Sequence, residues 1–125
     1  MFEDTIAAIA TPFGKGGVAI IRISGPQSSD IAQQLSSRKP QDRKALFTSF
    51  YDASNHIIDS GICIYFKGPN SYTGEDVVEV QGHGGIVVIN MLLKRIIALG
   101  ARIAKPGEFT ERAFLNNKLD LTQAE

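Results

Sequence analysis

The stretch DVVEVQGHGGIVVINMLLKRIIALG, residues 76 to 100, joins a short apolar segment to the strongest helical pattern in the chain. The apolar segment predicts a strand, although a carboxylate, Glu79, lies among its valines. After a glycine-rich turn, the only polar residues inside the helical pattern are Asn90, Lys94 and Arg95. So wide an apolar surface predicts a helix that is mostly buried against a sheet.

Strand and helix patterns alternate irregularly along the rest of the chain. Further strands are predicted at 5–10, 17–24, 45–52, 57–66 and 101–106, and further helices at 28–37 and after Pro106. The first two strands are separated by a Pro/Gly turn and are expected to pair, and the third and fourth are expected to form a hairpin. The predicted class is therefore α+β, with a mixed β-sheet covered by helices.

Composition narrows the function classes. The chain has 125 residues, 43% of them apolar, and 13 basic residues balance 13 acidic ones. This balance excludes a protein that binds nucleic acid through a generally basic surface. Since no stretch approaches the roughly 20 apolar residues of a membrane span, we expect no membrane association and a cytoplasmic protein. The single cysteine, Cys63, excludes an internal disulfide and is interpreted as a core residue.

The last residues predict a domain boundary. Thr122 and Glu125 form the capping pattern that opens a helix, yet the chain ends there. We therefore expect a domain cut from a longer protein, with one domain over 1–118 and the start of a further segment at 119–125.

The glycine-rich turns do not match a nucleotide-binding motif. TPFGKGG lacks the first glycine and the Ser or Thr of the P-loop pattern, so no GTP site is expected in this chain. GHGG, at 82–85, lacks the second half of the dinucleotide fingerprint and is interpreted as close packing of strand against helix. His83 has no Ser, Cys or Asp partner at a recognisable spacing, which makes it a weak catalytic candidate.

Two charges on apolar strands are the better candidates. Arg22 lies in VAIIRI and Glu79 in VVEV, and either charge would be costly to bury alone. Two interpretations remain open: the residues pair with each other, or both point into a cleft and bind a ligand. The final helix adds polar residues that are interpreted mainly as a solvated face: Glu108, Glu111, Arg112, Asn116, Lys118 and Asp120. Of these, Lys118 is also able to reach a cleft and bind an anion.

Three segments carry a resemblance to a known family: DTIAAIATPFGKGGVAIIRISG, GPNSYTGEDVVEVQGHGG and KPGEFTERAFLNNKLDLTQAE. Together, and in this order, they resemble the N-terminal domain of the MnmE (TrmE) family of tRNA-modification GTPases. That domain is similar in fold to the tetrahydrofolate-binding domain of aminomethyltransferases. In the family it is followed by a helical domain, so the resemblance implies that residues 119–125 begin that helical domain.

The resemblance implies a site and a set of partners. It implies binding of 5-formyltetrahydrofolate by Arg22, Glu79 and Lys118, with Tyr72, Thr73 and His83 as further site walls. It also implies homodimers and joint action with the flavin protein MnmG, which together aminomethylate or carboxymethylaminomethylate the wobble uridine of certain tRNAs. GTP, Mg²⁺ and K⁺ would bind only in the full-length protein. In the family a further lysine, near the far C-terminus and outside this chain, also contacts the folate.

Two other functions remain open from the sequence. A free-standing one-carbon transferase would need a catalytic acid or base, for which Asp76 and His83 are the local candidates. A purely structural dimerisation module would use Arg22 and Glu79 as a buried ion pair.

Overall fold

The computed structural model describes residues 2–10 and 17–116, which form six strands and three helices. The strands are β1 (Thr5–Ile9), β2 (Ala19–Ser24), β3 (Leu46–Tyr51), β4 (Ile57–Phe66), β5 (Val77–Gly82) and β6 (Ala101–Ile103). The helices are α1 (Ser28–Ser36), α2 (Gly85–Ala98) and α3 (Glu108–Leu115). Each predicted strand and helix within the described ranges is present, with ends shifted by a few residues. The capping pattern at 122–125 lies outside the described residues.

All six strands form one sheet in the order β3-β4-β5-β2-β1-β6. The β1–β2 and β3–β4 pairs are antiparallel, which confirms the predicted pairing and the predicted hairpin. β6 returns beside β1 in the parallel direction, so the sheet is mixed. The α+β class predicted from the sequence is therefore confirmed. None of the described helices combines the length and the apolar character that crossing a membrane requires.

The core lies between one face of the sheet and the helices α1 and α2. Alternate residues of the central strands point to this face, including Ile21 and Ile23 of β2 and Val78 and Val80 of β5, all fully buried. Cys63 is 1% exposed in the same cluster, which confirms its interpretation as a core residue. Burial also raises the pKa of its thiol to about 12.

Helix α2 is less buried than its sequence predicts. It buries only one narrow stripe against the sheet, formed by Ile89, Leu92 and Ile96. On its outer side Ile86, Val87 and Met91 are 59%, 69% and 47% exposed. The prediction of a mostly buried helix was wrong because a single sheet face can cover only the side of the helix that it contacts.

The opposite face of the sheet is partly covered by the loop 67–76 and by α3. Ser24 of β2 points to this face and hydrogen-bonds to Thr73 and Glu75 of the loop, at 2.7 and 2.8 Å. Arg112 of α3 is fully buried and contacts Glu75 in turn. The interpretation of α3 as a solvated face was therefore wrong for Arg112 and for Glu108, which is 8% exposed. Ion pairs explain how these charges are buried.

Candidate functional site

Arg22 and Glu79 face each other on the neighbouring strands β2 and β5. Alternation along the strands turns both side chains away from α1 and α2, towards the face that carries the loop 67–76. Nη2 of Arg22 donates to Oε1 of Glu79 at 2.7 Å, and Nε donates to the same oxygen at 3.2 Å. The two side chains are 32% and 17% exposed, so the pair is half-buried and still reaches solvent.

This geometry decides between the two interpretations of the charges only in part. The pairing interpretation is confirmed, because each charge has its partner on the adjacent strand. The pairing nevertheless uses one carboxylate oxygen only. Oε2 of Glu79 accepts no hydrogen bond from the described residues, and it is not among their buried unpaired polar atoms. That oxygen is therefore accessible for an added donor.

A cavity of about 410 Å³ opens over Glu79. We call it the Glu79 cavity, and its walls include Arg22, Arg43, Phe66, Tyr72, Val77 and Glu79. Aromatic and aliphatic side chains thus surround a single carboxylate and two guanidinium groups. A cleft of this kind suits a flat heterocycle with adjacent N–H groups on one edge, because a carboxylate accepts such a pair while apolar walls flank the ring.

A second cavity of about 390 Å³ lies beside the first, between β1 and the start of α3. We call it the α3 cavity, and its walls include Ala8, Arg22, Tyr72, Lys105 and Phe109. Arg22 and Tyr72 border both cavities. The Arg22 guanidinium lies 5.8 Å from the centre of the Tyr72 ring, and the Tyr72 hydroxyl lies 3.3 Å from Oγ1 of Thr110. This stacked pair is thus the partition between the two cavities.

Of the predicted site residues that the structure describes, it brings three together and places Thr73 and His83 elsewhere. Arg22, Glu79 and Tyr72 meet at the Glu79 cavity. Thr73 is fully buried behind that wall, and its hydroxyl is bonded to Ser24. His83 borders another cavity near β3, and its backbone N–H donates to Oδ2 of Asp59 at 2.8 Å. Lys118 lies outside the described residues.

A buried ionic cluster behind the cavities holds α3 against the loop. Arg112 donates to Oε1 of Glu75 at 3.1 Å and to Oδ1 of Asp4 at 2.6 Å, and its guanidinium lies 4.3 Å from the Phe2 ring centre. The side-chain amide of Asn116 donates to the carbonyl oxygen of Thr73 at 3.0 Å. Arg112 and Asn116 therefore fix the loop that carries Tyr72.

Arg102 completes this cluster from β6. It hydrogen-bonds to Glu108 and to Asp4, with its Nε 2.7 Å from Oδ2 of Asp4. Hydrogen bonds from Arg102 are the main reason that the pKa of Glu108 is lowered to about 2. A hydrogen bond from Arg102 is also the main reason that the pKa of Asp4 lies below its usual range. Both carboxylates are therefore ionised at neutral pH, which keeps the cluster intact.

Sequence reasoning missed two residues of the Glu79 cavity, Arg43 and Phe66. Phe66 ends the predicted fourth strand, but nothing in the pattern showed that it faces a cavity. Arg43 lies in a charged loop between α1 and β3, which carried no signal beyond its charge. Among residues 2–10 and 17–116, no three His, Cys, Asp or Glu side chains are grouped as a metal site.

Comparison of the sequence with known proteins identifies the family of this chain. A family model described as "GTP-binding protein TrmE N-terminus" matches residues 5–118. The chain is 60% identical over 123 residues to a "tRNA modification GTPase MnmE" of Chromohalobacter salexigens, covering 98% of this chain. It is 59% identical to the protein of the same name in Nitrosomonas eutropha and 58% identical to that of Pseudomonas syringae pv. tomato, each over 123 residues. The chain spans 27% of the length of each of these relatives.

Proposed function

This chain belongs to the family of TrmE N-terminal domains, and from that premise we propose that it is the tetrahydrofolate-binding, dimer-forming domain of a tRNA-modification GTPase. The observation that carries the folate proposal is the accessible Oε2 of Glu79 within an aromatic-walled cavity. The chemistry of this cavity fits the pterin group, whose pyrimidine edge presents adjacent N–H donors and whose ring packs on apolar walls.

In the proposed complex Glu79 accepts the N–H donors of the pterin edge. Arg22 holds the carboxylate in place through Oε1, so that Oε2 needs no reorganisation when the ligand binds. Tyr72, stacked on Arg22, forms the wall at the passage to the α3 cavity. Lys118 supplies a third contact, to a ligand oxygen, through its flexible ammonium group. The ligand, 5-formyltetrahydrofolate or a related tetrahydrofolate, is the carrier of a one-carbon unit.

We assign the chemistry of the full-length protein to parts beyond this chain. The relatives are named as tRNA-modification GTPases and are much longer than this chain. GTP, Mg²⁺ and K⁺ bind in their GTPase domain under this proposal, and an MnmG-type flavin protein joins in modifying the wobble uridine of tRNA. The domain 1–118 binds the folate in the cytoplasm without turning it over, and 119–125 begins the helical domain.

Exposed apolar residues at one sheet edge support the proposed homodimer. β3 is an edge strand, and Phe47 on it is 74% exposed. Ile57 at the start of β4, opposite Tyr51 of β3, is 61% exposed. Apolar side chains on an unpaired edge strand are typical of a surface that pairs with another chain.

A purely structural module remains the rival, because it requires the observed pairing of Arg22 with Glu79. The deciding experiment is calorimetric titration of 5-formyltetrahydrofolate into the wild-type chain and into Glu79→Gln, with melting curves of both. Asp30→Asn is the matched control, since Asp30 is an exposed carboxylate on α1, on the other side of the sheet.

We expect saturable binding to the wild type and to Asp30→Asn, and loss of binding in a Glu79→Gln variant that still folds. If the wild type does not bind the folate and Glu79→Gln melts far below it, the pair is structural. Single-turnover transfer of the one-carbon unit by this chain alone would instead favour a free-standing transferase.

A further inference from the structure

Arg43 lies at the rim of the Glu79 cavity on a well-anchored loop. Its backbone N–H donates to the carbonyl oxygen of Tyr65 at 2.7 Å, and its φ of 62° gives the chain a sharp turn there. Beside it, Oδ1 of Asp42 accepts the backbone N–H of Lys67 at 2.9 Å. One backbone–backbone hydrogen bond and one hydrogen bond to a side-chain carboxylate thus hold this part of the loop at the end of β4.

The side chain of Arg43 is also held in one orientation. Its guanidinium lies 5.5 Å from the centre of the Phe66 ring, and its Nη2 donates to the carbonyl oxygen of Asn70. Stacking on an aromatic face leaves the in-plane N–H groups of an arginine free to bind a carboxylate or phosphate. Within the described part of the chain, no carboxylate forms an ion pair with Arg43.

The charges of the cavity walls are therefore unbalanced. Arg22 is neutralised by Glu79, whereas Arg43 leaves one positive charge at the rim. A ligand that fits this arrangement has a neutral hydrogen-bonding edge for Glu79 and an anionic group at its other end for Arg43.

We propose that Arg43 binds the anionic glutamyl tail of the tetrahydrofolate, so that Glu79 and Arg43 read the two ends of one ligand. This inference rests on the proposed folate function. It assigns specificity for the glutamylated form to Arg43, and it predicts that a pterin without the tail gains nothing from this residue.

The test is calorimetric titration of two probes, 5-formyltetrahydrofolate and 5-formyl-6-methyltetrahydropterin, which lacks the benzoylglutamate tail. The proteins are the wild-type chain, Arg43→Gln and Arg43→Lys. Arg38→Gln is the matched control, because it removes an exposed arginine that lies at another cavity and donates to the carbonyl oxygen of Phe47.

We expect Arg43→Gln to weaken binding of the glutamyl ligand about tenfold, as loss of a charge-assisted hydrogen bond does, and to leave pterin binding unchanged. Arg43→Lys should retain part of the affinity, and Arg38→Gln all of it. Added salt should narrow the difference between wild type and Arg43→Gln.

Equal affinity of wild type and Arg43→Gln for the glutamyl ligand would overturn the role of Arg43, as would an equal loss for both probes. In either case binding of both probes to the wild type would leave the folate function standing. If the wild type bound neither probe, both proposals would be overturned.

Discussion

Gly61 of β4 lies so close to Gln81 of β5 that a β-carbon built on Gly61 would be 1.8 Å from the carbonyl oxygen of Gln81. No flexible side chain is available to move aside, because the atom in contact belongs to the backbone of the neighbouring strand. The absence of a side chain at residue 61 is therefore a condition for the pairing of β4 with β5, which carries Glu79.

We expect Gly61→Ala to destabilise the fold by at least about 3 kcal/mol, the upper end for overpacking a core. Gly85→Ala is the control, since its φ of 81° is strained for alanine but no atom of residues 2–10 or 17–116 outside the adjoining chain lies within 4 Å of the added carbon. That strain costs about 1–2 kcal/mol. Urea unfolding of both variants measures the difference, and equal losses would show that β4 and β5 separate at little cost.

The ion pair of Arg22 and Glu79 should contribute modestly to stability. Because the arginine side chain is 32% exposed, water solvates its charge when the partner is removed and offsets part of the loss. We expect Glu79→Gln to cost about 1–2 kcal/mol, below the value for a fully buried pair. A double-mutant cycle with Arg22→Gln should give a coupling energy of about 1 kcal/mol. A coupling of zero in urea unfolding would mean that the pair does not stabilise the sheet.

Arg112 should be far more important for folding than Arg22, although both are paired arginines. It is fully buried against Glu75, whose side chain is 4% exposed, so its removal leaves a buried carboxylate without its partner. We expect Arg112→Met to lose about 3–5 kcal/mol of unfolding free energy. Arg38→Met, which changes an exposed arginine, should unfold like the wild type. Arg112→Met with wild-type stability would show that packing alone holds α3 in place.

Glu108 should make the fold sensitive to acid. Its pKa is lowered to about 2 in the folded chain, from an ordinary value of 4.5, mainly by hydrogen bonds from Arg102. Between these two values the unfolded chain takes up a proton that the folded chain does not, so the unfolding free energy falls as the pH falls from about 4.5 towards 2. At neutral pH, well above the ordinary value of 4.5, the contribution of Glu108 is complete.

Denaturant unfolding between pH 2 and pH 6 measures this dependence. The unfolding free energy of Glu108→Gln should change less steeply with pH than that of the wild type. Part of the pH dependence should persist in this variant because the pKa of Asp4 is also lowered. Glu111→Gln is the control, because Glu111 is an exposed carboxylate of the same helix. An equal pH dependence of the unfolding free energy in Glu108→Gln and wild type would show that Glu108 does not cause the acid sensitivity.

The sequence by itself determined the strands, the helices and the class of the fold. Alternation of apolar residues and the glycine and proline turns are local signals, which is why β1, β2 and the β3–β4 hairpin were predicted with their pairing. Three sequence segments in order, two of which contain Arg22 and Glu79, also sufficed to identify the family. How far α2 is buried was predicted wrongly, because the area that a sheet covers is not encoded in the helix itself.

Only the tertiary structure decided which charges meet. Arg22 and Glu79 are 57 residues apart in the chain, and Arg112 and Asp4 are 108 apart, so no spacing rule links them. Arg43 borders the cavity because its loop is bound to the end of β4. His83 lies apart because it follows the end of β5 that is opposite to Val77, near β3. Local patterns fix the elements, whereas burial, charge pairing and cavity walls depend on contacts between residues that are distant in sequence.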